Sequence, residues 1–343
     1  MKRYNVAVVG ATGAVGEEIF KILEERNFPV ENLLPLASAR SVGAEVQFAG
    51  KNYKVVELTE EVFEKHHVDI AFFSAGGSVS AKFAPYAAQA GAVVIDNTSH
   101  FRMDEDVPLV VPEVNPEDIA LWRKRGIIAN PNCSTIQMVQ VLKPLHDAFE
   151  IERVDVSTYQ ATSGAGKKGM EELVYQMQKF FDFTLSECEP EVFAHQIALN
   201  LIPHIDVFQE NGYTKEEMKM VKETNKIMHS HFAVSATCVR VPVLRSHSES
   251  ITIRFKNSAD AKEAREILSK APSVVVMDEP LAKKYPMPSI ATDTDETYVG
   301  RIRNDIYDEK ILHLWCVADQ IRVGAATNAV RIAQKWVEIE GEK

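Results

Sequence analysis

Apolar residues in the first third of the chain fall into short unbroken runs, separated by stretches in which apolar positions recur every three or four residues. Val6 to Val9, Leu33 to Ser38, Val68 to Phe73, Ala92 to Ile95 and Ile127 to Ala129 have the first character, which suits strands buried on both faces of a parallel sheet. The segments 14–26, Ser78 to Ala90 and Pro116 to Lys124 have the second and read as helices. Strands alternating with helices predict a doubly wound α/β sheet of the Rossmann type. The pattern then changes. A helix from Thr135 to Phe149 is followed by a strand from Arg153 to Ala161, the glycine-rich loop Thr162 to Gly166 and a helix from Lys168 to Phe181. After a long irregular stretch, strands return at Cys238 to Val243 and Ser250 to Phe255, then a helix Ala259 to Ser269 and a strand Val274 to Met277. This second half reads as α+β, with helices on one face of an antiparallel or mixed sheet. A last helix, Ala325 to Ile339, is expected to return to the first domain. The expected division is 1–132, 133–322 and 323–343, the third segment being that returning helix.

Charge and cysteine usage narrow the partners. The formal net charge of −11 argues against nucleic acid, which needs a basic footprint. No apolar run approaches the ~20 residues that span a bilayer, so no membrane role is expected. Four cysteines in no paired spacing, with no apolar stretch before the first strand, suggest a cytoplasmic protein.

The first strand feeds Gly10-Ala11-Thr12-Gly13-Ala14-Val15-Gly16 and then a helix, the order of a dinucleotide-binding unit. Gly10 permits a tight turn, Gly13 lets backbone approach a pyrophosphate, and Gly16 lets helix pack on strand. Thr12 stands where the commoner fingerprint has its second glycine. After the second strand come Arg40 and Ser41, with no acidic residue to hold a ribose 2′-hydroxyl. A guanidinium there suits a 2′-phosphate, so NADP is expected over NAD; the competing reading of Arg40 is a solvated loop arginine.

Asn130-Pro131-Asn132-Cys133-Ser134-Thr135 joins a strand to a helix and puts a thiol at the helix N-terminus. Unpaired backbone N–H groups there favour a thiolate and can bind an oxyanion at the attacked carbon. In a doubly wound sheet such a turn lies beyond the strand ends, so Cys133 is expected to face the nicotinamide side of the cofactor cleft. The alternative is a small buried helix residue. His66-His67, and Cys188 with His195, lack a repeated metal-ligand spacing, and no metal is expected.

The run Val-Ser-Ala-Thr-Cys-Val-Arg-Val-Pro-Val-Leu-Arg-Ser-His-Ser from Val234 to Ser248 resembles the signature of aspartate-β-semialdehyde dehydrogenases. The glycine motif from Gly10, Pro131-Asn132-Cys133, the run Tyr159 to Gly166 and Glu223-Thr224-Asn225-Lys226-Ile227 resemble the same family in the same order. The resemblance implies a homodimer whose α+β domain is both catalytic and dimerising. It also implies NADPH-dependent conversion of L-4-aspartyl phosphate to L-aspartate 4-semialdehyde and phosphate, in lysine, threonine and methionine biosynthesis. Cys133 matches the family's nucleophile and His247 its acid/base, an imidazole expected to take the thiol proton and return it to the hemithioacetal. Arg240 would bind the α-carboxylate, Gln160 would orient the acyl intermediate, and Glu216 would take the amino group. Arg102 and Lys219 would bind phosphate, while Ser163, Gly164 and Gln320 would lie near the cofactor. Glu216 and Lys219 also fit an ordinary i,i+3 ion pair. The enzyme alternative is N-acetyl-γ-glutamyl-phosphate reductase, whose acylated substrate needs no acidic partner for an amine. A nucleotide-binding sensor without chemistry is the alternative of another class.

Overall fold

A computed structural model describes residues 2–341; Met1 and positions 342–343, at the outer ends of the expected division, lie outside them. In chain order the elements are β1 (Tyr4–Val9), α1 (Ala14–Glu25), β2 (Val30–Ala37), β3 (Glu45–Phe48), β4 (Lys51–Lys54), β5 (Val56–Glu57), α2 (Val62–Lys65), β6 (Ile70–Phe73), α3 (Gly77–Gln89), β7 (Val93–Asp96) and β8 (Ile127–Ala129). There follow α4 (Cys133–Phe149), β9 (Ile151–Gln160), α5 (Gly166–Phe181), α6 (Lys215–Ile227), β10 (Ala233–Arg240), β11 (His247–Phe255), α7 (Ala261–Leu268), β12 (Val274–Val276), α8 (Pro288–Ala291), β13 (Thr297–Asn304), β14 (Ile311–Ala318) and α9 (Thr327–Gly341). They form two compact units. One runs through Asn132 and resumes at Ala325; the other is Cys133–Gly324.

The first unit is built on a six-stranded sheet in the order β5-β2-β1-β6-β7-β8, every pair parallel. Strand order reverses at β1, which creates the crevice where nucleotides bind in such sheets. The apolar runs become the sheet interior: Val6, Val8, Ile70, Phe72, Val93, Ile95 and Ile128 are buried. Ile19, Phe20, Ile22 and Leu23 of α1 and Val330, Ile332 and Trp336 of α9 belong to the same core. Each such side chain contributes roughly 1.5–3 kcal/mol on burial, which is why a helix so distant in sequence is held in this unit. The segment Pro116–Lys124 winds as a 3-10 helix rather than an α-helix.

The second unit carries a mixed six-stranded sheet, β10-β9-β11-β14-β13-β12. The outer pairs β10/β9 and β12/β13 are parallel and the inner ones antiparallel. Sequence patterning passes over the β13–β14 hairpin and the small β3–β4 hairpin. It also places the strand before Arg240 too late. β10 ends at Arg240, and Pro242, which lacks an N–H to donate, lies beyond it.

Candidate active site

Side chains alternate across a strand, so one face of the second sheet can be read off the register. On that face β9 presents Val154, Val156, Thr158 and Gln160, while β10 presents Ala236, Cys238 and Arg240. β11 presents Phe255, Ile253, Ile251, Glu249 and His247, and β14 presents Leu312, Leu314, Cys316 and Ala318. All of these are buried. Because β11 runs against β9 and β10, its beginning lies beside their ends. The apolar face therefore finishes in a polar edge carrying Arg240, Gln160 and His247, and α4, which begins at Cys133, packs on β9, β11 and β14.

His247 is fully buried. The backbone N–H of Ala161 donates to its Nδ1 at 3.1 Å, so the neutral ring carries its hydrogen on Nε2, an atom with no hydrogen-bond partner among the described residues. Burial first, and the Arg240 cation second, push the imidazole well below its usual 6.5. The Ala161 bond alters the acid/base expectation: in this tautomer Nε2 offers a proton and cannot receive one from a thiol. The backbone before the ring is strained. Ser246 sits at φ +75°, held there by its N–H to Gln320 Oε1 at 2.7 Å and its hydroxyl against Thr292 Oγ1 at 2.8 Å.

Arg240 is buried, and its Nη1 donates to the Ala161 carbonyl at 2.5 Å. Burial lowers its pKa, while the Glu216 carboxylate, the first of the opposing charges, works against the shift. Gln160 donates from Nε2 to Thr158 Oγ1 and to Glu216 Oε1, each at 3.3 Å. Glu216 sits in the first turn of α6, a helix started by a capping box in which Thr214 and Glu217 bond reciprocally. The other oxygen of Glu217 accepts the Cys238 N–H at 3.0 Å, which fastens the helix to the edge strand.

Lys219 takes the i,i+3 position and bonds Glu216 at 2.9 Å, as expected from spacing, but Asp206 also holds it at 2.8 Å. Burial pulls its ammonium down, yet the two carboxylates outweigh burial and keep it above its usual value. Two glycines fit the same centre. A Cβ on Gly324 would lie 2.6 Å from the Cβ of Cys133, and one on Gly164 would lie 2.7 Å from Arg240 Nη1 and 3.4 Å from His247 Nε2. Gln320, expected near the cofactor, uses its amide inside the protein, donating to Ser163 Oγ while accepting from Ser246.

In the first unit the glycine motif has the form its sequence requires. Gly10 is at φ +90°, and a Cβ there would meet Ser74 Oγ at 2.9 Å. A Cβ on Gly16 would lie 2.2 Å from the Gly10 carbonyl oxygen. Gly13 caps α1 without a side chain, so Ala14 and Val15 begin the helix with their N–H groups facing outward from its end. Arg40 is exposed and Ser41 half-buried, in a single 3-10 turn following β2. Arg102 is buried, donating from Nε to the Asn130 carbonyl and from Nη2 to the Asn97 carbonyl, both at 2.9 Å.

Sequence reasoning did not single out Glu249, Gln137, Ser246 or Gly324. Only the strand alternation Ser-His-Ser-Glu carries a signal for Glu249, since it puts that residue on the same face as His247.

Residues 5–122 match the model of the semialdehyde dehydrogenase NAD binding domain, and residues 142–323 match that of the semialdehyde dehydrogenase dimerisation domain. The chain is 70% identical over 341 residues to the aspartate-semialdehyde dehydrogenase of Campylobacter jejuni, covering 99% of each, and 56% identical over 342 residues to that of Aquifex aeolicus, covering 98% of each. The solved structure of aspartate semialdehyde dehydrogenase II from Vibrio cholerae, complexed with ASA, superposes with a TM-score of 0.95 at 50% identity, covering 98% of this chain and 99% of that one. The Candida albicans enzyme with NADP superposes at 0.76 and 26% identity, covering 98% and 99%. A thiol at a helix start, a buried arginine and imidazole on one sheet edge, and relatives matched over nearly their whole length agree: the chain belongs to the aspartate-semialdehyde dehydrogenase family.

Proposed function

We propose that this protein converts L-4-aspartyl phosphate to L-aspartate 4-semialdehyde and phosphate through an acyl-thioester on Cys133, using NADPH. The observation that carries this reading is the composition of one buried edge: an arginine fork, a carboxylate and a neutral imidazole donor together, on the sheet face where the Cys133 helix packs. Arg240 suits the substrate α-carboxylate, because two parallel N–H groups match two oxygens. Glu216 suits a free ammonium, which an N-acetylated substrate lacks; the glutamyl alternative is not favoured by this residue or by the relatives.

As the Cys133 sulfur forms a bond to the acyl carbon, the bond from that carbon to the phosphate oxygen breaks, the thiol proton leaves with the phosphate, and the thioester remains. The oxygen that gathers negative charge during attack is met by the Nε2–H of His247, a fixed donor in a dry site. In reverse, the Cys133 thiol adds across the aldehyde, its proton passing to the oxygen of the hemithioacetal, which the Nε2–H of His247 holds by a hydrogen bond. Loss of a hydride, which bound NADP⁺ would take, and of the hydroxyl proton gives the thioester, and phosphate then cleaves it and returns the thiol. The backbone of Gly10 and Gly13 and the uncapped start of α1 fit a pyrophosphate, and Arg40 with Ser41 fits a 2′-phosphate, so NADP is the preferred cofactor. When bound it supplies the hydride equivalent for the thioester. Arg102 is assigned to phosphate; Lys219, neutralised by two carboxylates, aligns Glu216 rather than offering phosphate an unshared charge.

Homodimerisation is proposed from the dimerisation-domain match. Equilibrium sedimentation reads it directly, and a monomer at assay concentration would refute it. The function itself is tested by the initial rate of NADP⁺ reduction with L-aspartate 4-semialdehyde, with and without phosphate, for wild type and Cys133→Ser. Phosphate-dependent turnover that collapses in the variant supports it, and a variant with full activity overturns it.

A further inference from the structure

Behind the edge that carries Arg240, Gln160 and His247 lies a second row in register across four strands: Cys238, Thr158, Glu249 and Cys316. Glu249 is fully buried, and neither of its carboxyl oxygens meets a donor within hydrogen-bond geometry among the described residues. An ionised carboxylate in such a place would lose its hydration without replacement. The Gln137 amide lies against it. Gln137 stands one helical turn after Cys133 on α4, its Oε1 also lacks a donor, and its Nε2 reaches the main-chain carbonyl of His247 at 3.5 Å. Gln137 Oε1 and the two Glu249 oxygens are thus buried acceptors without a donor among the described residues. The Gln137 side chain is the carboxyl's hydrogen-bonding neighbour, and a proton on the carboxyl would remove its charge and supply a donor for Gln137 Oε1.

We propose that Glu249 is a positioning residue, a neutral carboxylic acid whose O–H donates to Gln137 Oε1 and so holds the Gln137 amide on the His247 carbonyl. The first turn of the nucleophile's helix is thereby fastened to the start of the imidazole's strand. This rests on the reading of Cys133 and His247 given above. Burial drives the Glu249 carboxyl well above its ordinary range, with only Gln137 opposing. The ionisable groups that feel it are Cys316 and Cys238, both kept as thiols chiefly by their own burial. A carboxyl kept neutral so that it can donate is an established device in low-dielectric sites.

The experiment compares Glu249→Met, which fills the space without a donor, with Glu249→Gln, which restores an N–H donor in the same shape. Glu249→Met is expected to lose about tenfold or more in kcat at little-changed KM, through misplacement of the reacting pair. Glu249→Gln is expected to recover most of that loss with an unshifted pH profile. An infrared difference spectrum between wild type and Glu249→Gln, taken above neutral pH, is expected to show a protonated carboxyl band. The proposal is overturned if Glu249→Gln is as impaired as Glu249→Met, if Glu249→Met is fully active, or if only an ionised carboxylate band is seen. An inactive wild type would count against the functional reading instead, and the infrared band would still decide the state of Glu249.

Discussion

The backbone N–H of Ala161 donates to Nδ1 of His247 at 3.1 Å, and this one bond fixes which ring nitrogen carries the hydrogen. It makes the imidazole a donor at Nε2. A glutamine side chain can place an N–H near the Nε2 position, whereas an asparagine reproduces only the Nδ1 end. His247→Asn is expected to lose about 10²–10³ in kcat, the usual worth of one fixed hydrogen-bond donor to a developing oxyanion, and His247→Gln distinctly less. Steady-state rates at saturating substrate measure it; equal losses would argue against donation from Nε2.

Gly324 has no room for a side chain. An added Cβ would lie 2.6 Å from the Cβ of Cys133, closer than real carbon atoms approach. Gly324→Ala is expected to displace the nucleophile and cost about 1–3 kcal/mol of stability by overpacking. The displacement falls mainly on kcat. Gly164→Ala presses on the end of the Arg240 side chain instead, at 2.7 Å, so its KM for aldehyde is expected to rise. Denaturant titrations with kinetics on both variants separate the two effects.

Arg40, exposed beside Ser41 after β2, is assigned to the cofactor 2′-phosphate. Loss of a charge-assisted pair costs about 1.5–3 kcal/mol, so Arg40→Ala is expected to lower kcat/KM for NADP roughly ten- to a hundredfold. The NAD value stays nearly constant. If both cofactors suffer equally, the residue contributes to folding rather than to selectivity.

Two buried groups give stability opposite dependences on pH. His247 has its folded pKa well below 6.5, so as pH falls through 6.5 the unfolded chain takes up a proton that the native state refuses, and stability drops. Glu249 has its folded pKa well above 4.5, so as pH rises through 4.5 the unfolded chain releases a proton that the native state keeps, and stability drops in that direction. Each slope is limited to about 1.4 kcal/mol per pH unit. Glu249→Gln removes the second, so its stability relative to wild type is expected to rise steadily with pH above 4.5 in urea titrations. A difference that does not change with pH would mean that Glu249 is ionised in the native protein.

What the chain alone determined is local or periodic. Unbroken apolar runs foretold the parallel sheet, because strands covered on both faces admit no polar side. Gly10 and Gly16 foretold the strand–turn–helix, because a positive φ and a 2.2 Å approach admit no side chain. Cys133 was legible from its place between strand and helix, and Arg240 and His247 from the run between Val234 and Ser248. Tertiary structure decided what depends on which strands become neighbours. The β13–β14 hairpin was hidden because its pattern gains meaning only beside β11. Asp206 shares Lys219 with Glu216 though thirteen residues separate it from that lysine, and Gln320 braces Ser246 across 74 positions. The tautomer of His247 follows from Ala161, and the protonation proposed for Glu249 from its burial with both oxygens outside hydrogen-bond geometry to any donor among the described residues. Sequence spacing sets which side chains share a strand face or helix turn; burial and the partner atoms brought in by folding set which protons they hold.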